Sequence, residues 1–195
     1  MSDDLLAAVG WAATVVTLAS SVPQVARLVR TRDVHGVSTW SYLLWASAAL
    51  WWAGWGVHIG SVPMVVVNVL LLPLLGTVVV LLRPRPAQVL FLAASVPLLI
   101  GALVVLPPLA AVGANLFSCA LALPSVVEAF RTDDPSGVAV GTWALLAVAS
   151  ALWLVYNVGL GYPAAATAMV AQGGLAGAVV ARTLVDRRRL AARAA

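Results

Sequence analysis

Residues 23–60 lie over residues 124–161 without a gap, with 13 identities in 38 positions at a fixed offset of 101. Apolar matches carry little weight in a chain this hydrophobic. The matches Pro23/Pro124, Arg30/Arg131, Thr31/Thr132, Asp33/Asp134, Gly36/Gly137, Trp52/Trp153 and Gly60/Gly161 carry the argument. A fixed-offset repeat constrains the fold more than any single motif, because one folding unit has to serve twice.

The unit is built for a bilayer. Apolar residues make up 63% of the chain and charged ones 9%, far from the usage of soluble domains. Apolar stretches of about 20 residues recur, the length that crosses the hydrocarbon core. They predict spans near 5–28, 37–57, 62–82, 87–106, 111–130, 138–160 and 162–183. Three crossings invert a chain. A single extra crossing is therefore needed to bring a second three-span unit in with the orientation of the first.

The expected fold is thus an all-α membrane protein with seven transmembrane helices. Two parallel three-helix bundles are joined by one linker helix, in a 3+1+3 order. The expected divisions are 1–82 for the first unit, 83–108 for the linker helix, 109–185 for the second unit and 186–195 for a basic tail.

Charge sets the expected orientation. All eleven basic residues are arginines, and they stand at 27, 30, 32, 83, 85, 131, 182, 187, 188, 189 and 193, at the ends of apolar runs. With seven crossings these clusters share one side, which the positive-inside rule makes cytoplasmic. The acidic start Met-Ser-Asp-Asp then lies outside, and no charged n-region of a cleaved signal precedes the first span. Localisation in the plasma membrane, as a multi-pass protein, follows. The arginines read as loop and lipid-surface charges rather than as a nucleic-acid footprint.

Several chemistries find no foothold. The single Cys119 excludes an internal disulfide, and one cysteine with two separated histidines offers no zinc-type ligand set. No Ser/His/Asp or Cys/His arrangement points to an enzyme, no cofactor motif is present, and the lack of lysine excludes a retinal Schiff base. No charged residue falls near the middle of a predicted span. Ion-coupled transporters place such groups there, so the pattern favours passive transport.

The polar and aromatic residues inside the spans are then the candidates. Pro23 and Pro124 each remove a helix hydrogen bond at equivalent places, which predicts paired kinks or hinges, with Gln24 beside the first. Trp52 and Trp153 occupy matching positions in the second helix of each unit. Each either packs or joins the interfacial belt, or turns a flat face to a substrate with its indole N–H as a further donor. Asn68 in the third span, Asn157 in the sixth and Gln172 in the seventh bring amides into apolar surroundings. There an amide either bonds a neighbouring helix or reads a substrate.

These residues resemble the PQ-loop superfamily, and within it the SWEET and SemiSWEET sugar transporters. The resemblance is strongest over Val22-Pro23-Gln24-Val25 and from Leu50 to Asn68, where Trp52, Gly56, Pro63 and Asn68 keep the family's spacing. It implies alternating access by uncoupled, bidirectional flow of a small sugar, with Pro23, Gln24 and Pro124 as hinges. It also implies that Trp52, Trp153 and Asn68 contact the sugar. The second unit departs from this pattern: Met169 stands where asparagine is expected, Gln172 lies about a turn further on, and Ser125 follows Pro124. Met169, Asn157 and Gln172 complete the expected substrate-binding set. Other PQ-loop proteins export amino acids or other metabolites, or act as receptors or assembly partners, and these readings stay open beside the first. The expected partners are a small solute and the lipid bilayer, with homo-oligomers possible.

Overall fold

The computed structural model describes residues 2–32, 38–131 and 140–194. Among these are seven helices and no strand: α1 (Asp3–Thr31), α2 (Thr39–His58), α3 (Val62–Leu81), α4 (Pro86–Val105), α5 (Pro108–Arg131), α6 (Val140–Gly159) and α7 (Pro163–Ala194). The helix starts are written in the sequence. Ser2, Ser38 and Ser61 cap α1, α2 and α3 by accepting the amide N–H three residues on, and prolines open α4, α5 and α7 where their missing N–H does no harm.

Two helix ends are the same structure made twice. After α2, Gly60 takes a φ of 68°, and after α6, Gly161 takes 78°, a left-handed conformation that favours glycine. At the first, Ser61 N–H donates to Gly56 O at 2.8 Å and Gly60 N–H to Val57 O at 3.2 Å. At the second, Tyr162 N–H donates to Asn157 O at 2.9 Å and Gly161 N–H to Val158 O at 3.0 Å. This paired bonding is the Schellman motif, and it turns the chain sharply into α3 and α7.

Five helices, α1, α3, α4, α6 and most of α7, are long and apolar enough to cross a membrane. The described apolar part of α5, Pro108–Leu121, is shorter. In α2 five tryptophans, a tyrosine and two serines lower the mean hydropathy. Large apolar side chains point outward along the bundle, among them Val80, Leu90, Val105, Leu116 and Val158. Such a surface belongs in lipid, and the chain is a multi-pass membrane protein.

Where apolar surface meets lipid on all sides, helices associate by close packing rather than by hydrophobic burial. Small residues supply it here: Ala13, Ala110, Ala111, Ala114, Ala165 and Ala176 are fully buried. The packed pairs are α1 with α3 and α6, α2 with α3, α4 and α5, α5 with α4 and α7, and α6 with α7. α4 is the most peripheral helix. It is held to α2 by the Trp51 indole N–H, which donates to Ser95 O at 3.2 Å, and by Leu99 seated over Gly54.

The last helix does not stop near 183 but runs to Ala194, through the segment expected as a tail. Asp186 bonds Arg182 one turn back at 3.4 Å and approaches Arg189 at 4.0 Å, and the Ala, Leu and Arg residues there are good helix formers. Pro23, Gln24 and Pro124 fall inside α1 and α5, but their side chains lie outside the described residues, as do residues 33–37 and 132–139 entirely.

Candidate functional site

A cavity of about 320 Å³ lies among α1, α2, α3, α5, α6 and α7. Its walls include all six side chains expected at a substrate site: Trp52, Asn68, Trp153, Asn157, Met169 and Gln172. Hydroxyls from α1 join them, Thr17, Ser20 and Ser21, with Ser118 from α5. No Asp, Glu, Arg, Lys or His is among the described lining residues. The cavity extends toward the first turns of α2 and α6, where Ser41, Tyr42, Thr142 and Trp143 border it. Trp45 and Trp143 also stand on its wall.

The two tryptophans are held in one way. Trp52 donates its indole N–H to Ser118 Oγ at 3.2 Å, and Trp153 donates to Thr17 Oγ1 at 3.0 Å. Each acceptor hydroxyl gives its own proton to the carbonyl one turn back in its helix: Ser118 to Ala114 O and Thr17 to Ala13 O, both at 2.8 Å. Both bonds cross between the halves of the chain. Positions 52/153, 17/118 and 13/114 all differ by 101, so the arrangement is duplicated with the repeat. Both indole N–H groups, expected as further donors to a substrate, are engaged by protein hydroxyls in this structure.

Thr17 and Ser118 did not stand out in the sequence. Serine and threonine that bond back along their own helix are ordinary in membrane spans. Extending the 101-residue register six positions before Pro23 and Pro124 brings out the hydroxyl pair.

The amides are arranged less evenly. Asn68 donates Nδ2–H to Met64 O at 2.8 Å, and Asn157 donates Nδ2–H to Trp153 O at 2.7 Å. In register, Asn68 matches Met169 and Asn157 matches Gly56. Among the described lining residues the first half has one amide, Asn68 on its third helix, and the second half has two, Asn157 on its second helix and Gln172 on its third. Asn157 is 1% exposed, and its Oδ1 has no hydrogen-bond partner among the described residues. An acceptor left so in a low-dielectric interior costs about 1–3 kcal/mol.

The far end of the bundle, where α2 turns into α3 and α6 into α7, is shut. Ser61 Oγ and Tyr156 OH lie 2.8 Å apart, and Trp55 meets Tyr162 edge-on with ring centroids 5.3 Å apart. These contacts are also register-related, 61 with 162 and 156 with 55. The Tyr156 ring lies so close to Gly10 that a Cβ there would come within 2.6 Å of Cε2. Thr14 Oγ1 reaches Pro63 O at 3.0 Å and ties α1 to the start of α3 at the same level. The cavity thus ends in a packed, hydrogen-bonded layer on one side.

Residues 5–62, which form most of α1, all of α2 and the turn into α3, match the family model described as the PQ loop repeat. No curated protein matches the chain.

Proposed function

We propose that this chain, which carries a PQ loop repeat over residues 5–62, is an uncoupled facilitator that passes a small neutral sugar across the membrane by alternating access. The observation that carries the reading is the uncharged cavity on which Trp52, Trp153 and Asn68 converge. Two indole faces suit the C–H face of a sugar ring, and amides and hydroxyls suit its OH groups. The lack of ionisable groups other than the Tyr42 phenol along the described wall argues against a proton-coupled cycle.

The helix packing supports two equivalent bundles around this cavity. Exchanging α1 with α5, α2 with α6 and α3 with α7 maps the pairs α1–α3, α2–α3 and α1–α6 onto α5–α7, α6–α7 and α2–α5, all of which are packed. α4 stands outside this exchange and touches one helix of each bundle. A substrate pathway between repeats is the arrangement such duplicated transporters use. In this reading the arginine-bearing ends face the cytoplasm of a plasma membrane, the N-terminus is outside, and the closed layer of Ser61, Tyr156, Trp55 and Tyr162 is the outer gate. One chain supplies both bundles, so a monomer suffices.

The test is counterflow of labelled glucose and sucrose in liposomes. Trp52→Ala and Asn68→Ala are each expected to abolish it. Full flux in both variants removes the site. Uptake that instead follows a pH gradient and prefers amino acids supports an exporter on the same fold, and tight binding without flux supports a receptor.

A further inference from the structure

We infer that Thr17 and Ser118 are positioning residues for the solute, each fixing from the opposite half of the chain the indole plane against which the solute lies. The inference rests on the proposed function and goes beyond it, since it concerns what holds the rings. A tryptophan side chain turns about two bonds, and a hydrogen bond at the indole nitrogen, far from the backbone, removes most of that freedom. Both rings have such a bond, Trp52 to Ser118 at 3.2 Å and Trp153 to Thr17 at 3.0 Å.

The acceptors are themselves fixed. Each hydroxyl proton is directed to a carbonyl of its own helix at 2.8 Å, which leaves a lone pair for the indole. A free hydroxyl rotor would hold a ring less well than one locked at its donor end. Both hydroxyls border the cavity with the rings they hold. The bonds also tie the binding surface of one bundle to the first helix of the other. A rocking movement of α1 or α5 then carries the facing ring with it.

The consequence is specific. Removing either hydroxyl frees an indole to turn and leaves its N–H without a partner, so solute affinity falls while the chain still cycles. A purely packing role predicts lost stability instead, with affinity unchanged.

The full chain, labelled with ¹⁵N at its eight tryptophans, reports each indole N–H separately by NMR in detergent, with Trp52→Phe and Trp153→Phe giving the assignments. Ser118→Ala is expected to move the Trp52 signal and spare that of Trp153, and Thr17→Val to do the reverse. In liposomes with labelled glucose as the probe, each change is expected to raise the half-saturation concentration about fivefold at unchanged maximal rate, the worth of one net hydrogen bond. Ser118→Thr and Thr17→Ser are expected to restore it. Unmoved indole signals overturn the positioning role. So does an unchanged half-saturation in Ser118→Ala and Thr17→Val when Trp52→Ala has abolished flux, and there the substrate site itself stands. Full glucose counterflow in Trp52→Ala overturns the site and the positioning role together.

Discussion

Ser61 and Tyr156 share a buried hydrogen bond of 2.8 Å, ninety-five residues apart in sequence. Ser61 also caps α3, accepting Met64 N–H at 3.4 Å. It therefore starts one helix and bridges to another in the layer that closes the cavity.

That double duty ranks two substitutions. Tyr156→Phe gives up the bridge alone, about 1 kcal/mol for a hydrogen bond between membrane helices. Ser61→Ala gives up bridge and cap together, about 2 kcal/mol. Thermal unfolding in detergent is expected to show Ser61→Ala as the less stable of the two, and the double variant as no worse than Ser61→Ala by more than a few tenths of a kcal/mol. Equal midpoints for the single variants contradict the double duty.

The turns at Gly60 and Gly161 are predicted to behave alike. Either glycine changed to alanine forces a Cβ onto a left-handed backbone, at about 1 kcal/mol. Neither has another atom within 4 Å of that Cβ, so the penalty is conformational rather than steric. Matching losses in thermal stability are expected, with solute affinity unaffected in both.

The unequal amides give an unequal pair of variants. Asn157→Ala is expected to weaken glucose binding roughly fivefold, by removing a polar group from the wall. Met169→Leu exchanges one apolar side chain for another of similar volume and is expected to change it less than about twofold. Half-saturation from counterflow separates them. A larger effect at Met169 contradicts the assignment of Asn157 to the site.

Proton coupling is testable without mutation. The described cavity wall has no carboxylate or histidine to carry a proton. Glucose counterflow is therefore expected to be unaltered by a pH gradient imposed across the liposome membrane and by an uncoupler. Flux that collapses with the gradient places a titrating group on the pathway.

Much of this architecture was legible in the residues. The apolar runs marked seven helices, and the register of 101 paired Trp52 with Trp153 and Gly60 with Gly161. The Schellman turns then appeared where the glycines were. α7 was legible only in part, because arginines and an aspartate read as a tail until their spacing along a helix joins Asp186 to Arg182. The bond partners of the indoles were not legible at all. Thr17 and Trp153 lie 136 residues apart, and nothing in a serine or threonine announces which helix its second lone pair will face. Asn157 was visible as a polar residue in register with Gly56, but the bond of its Nδ2–H to Trp153 O and the burial of its Oδ1 were not.

That exchange shows in the lining of the cavity. With Asn68 in register with Met169, and Asn157 with Gly56, the two halves no longer line the cavity with the same groups. Duplication made the frame even-handed; divergence at Asn68/Met169 and Gly56/Asn157 has left its lining uneven.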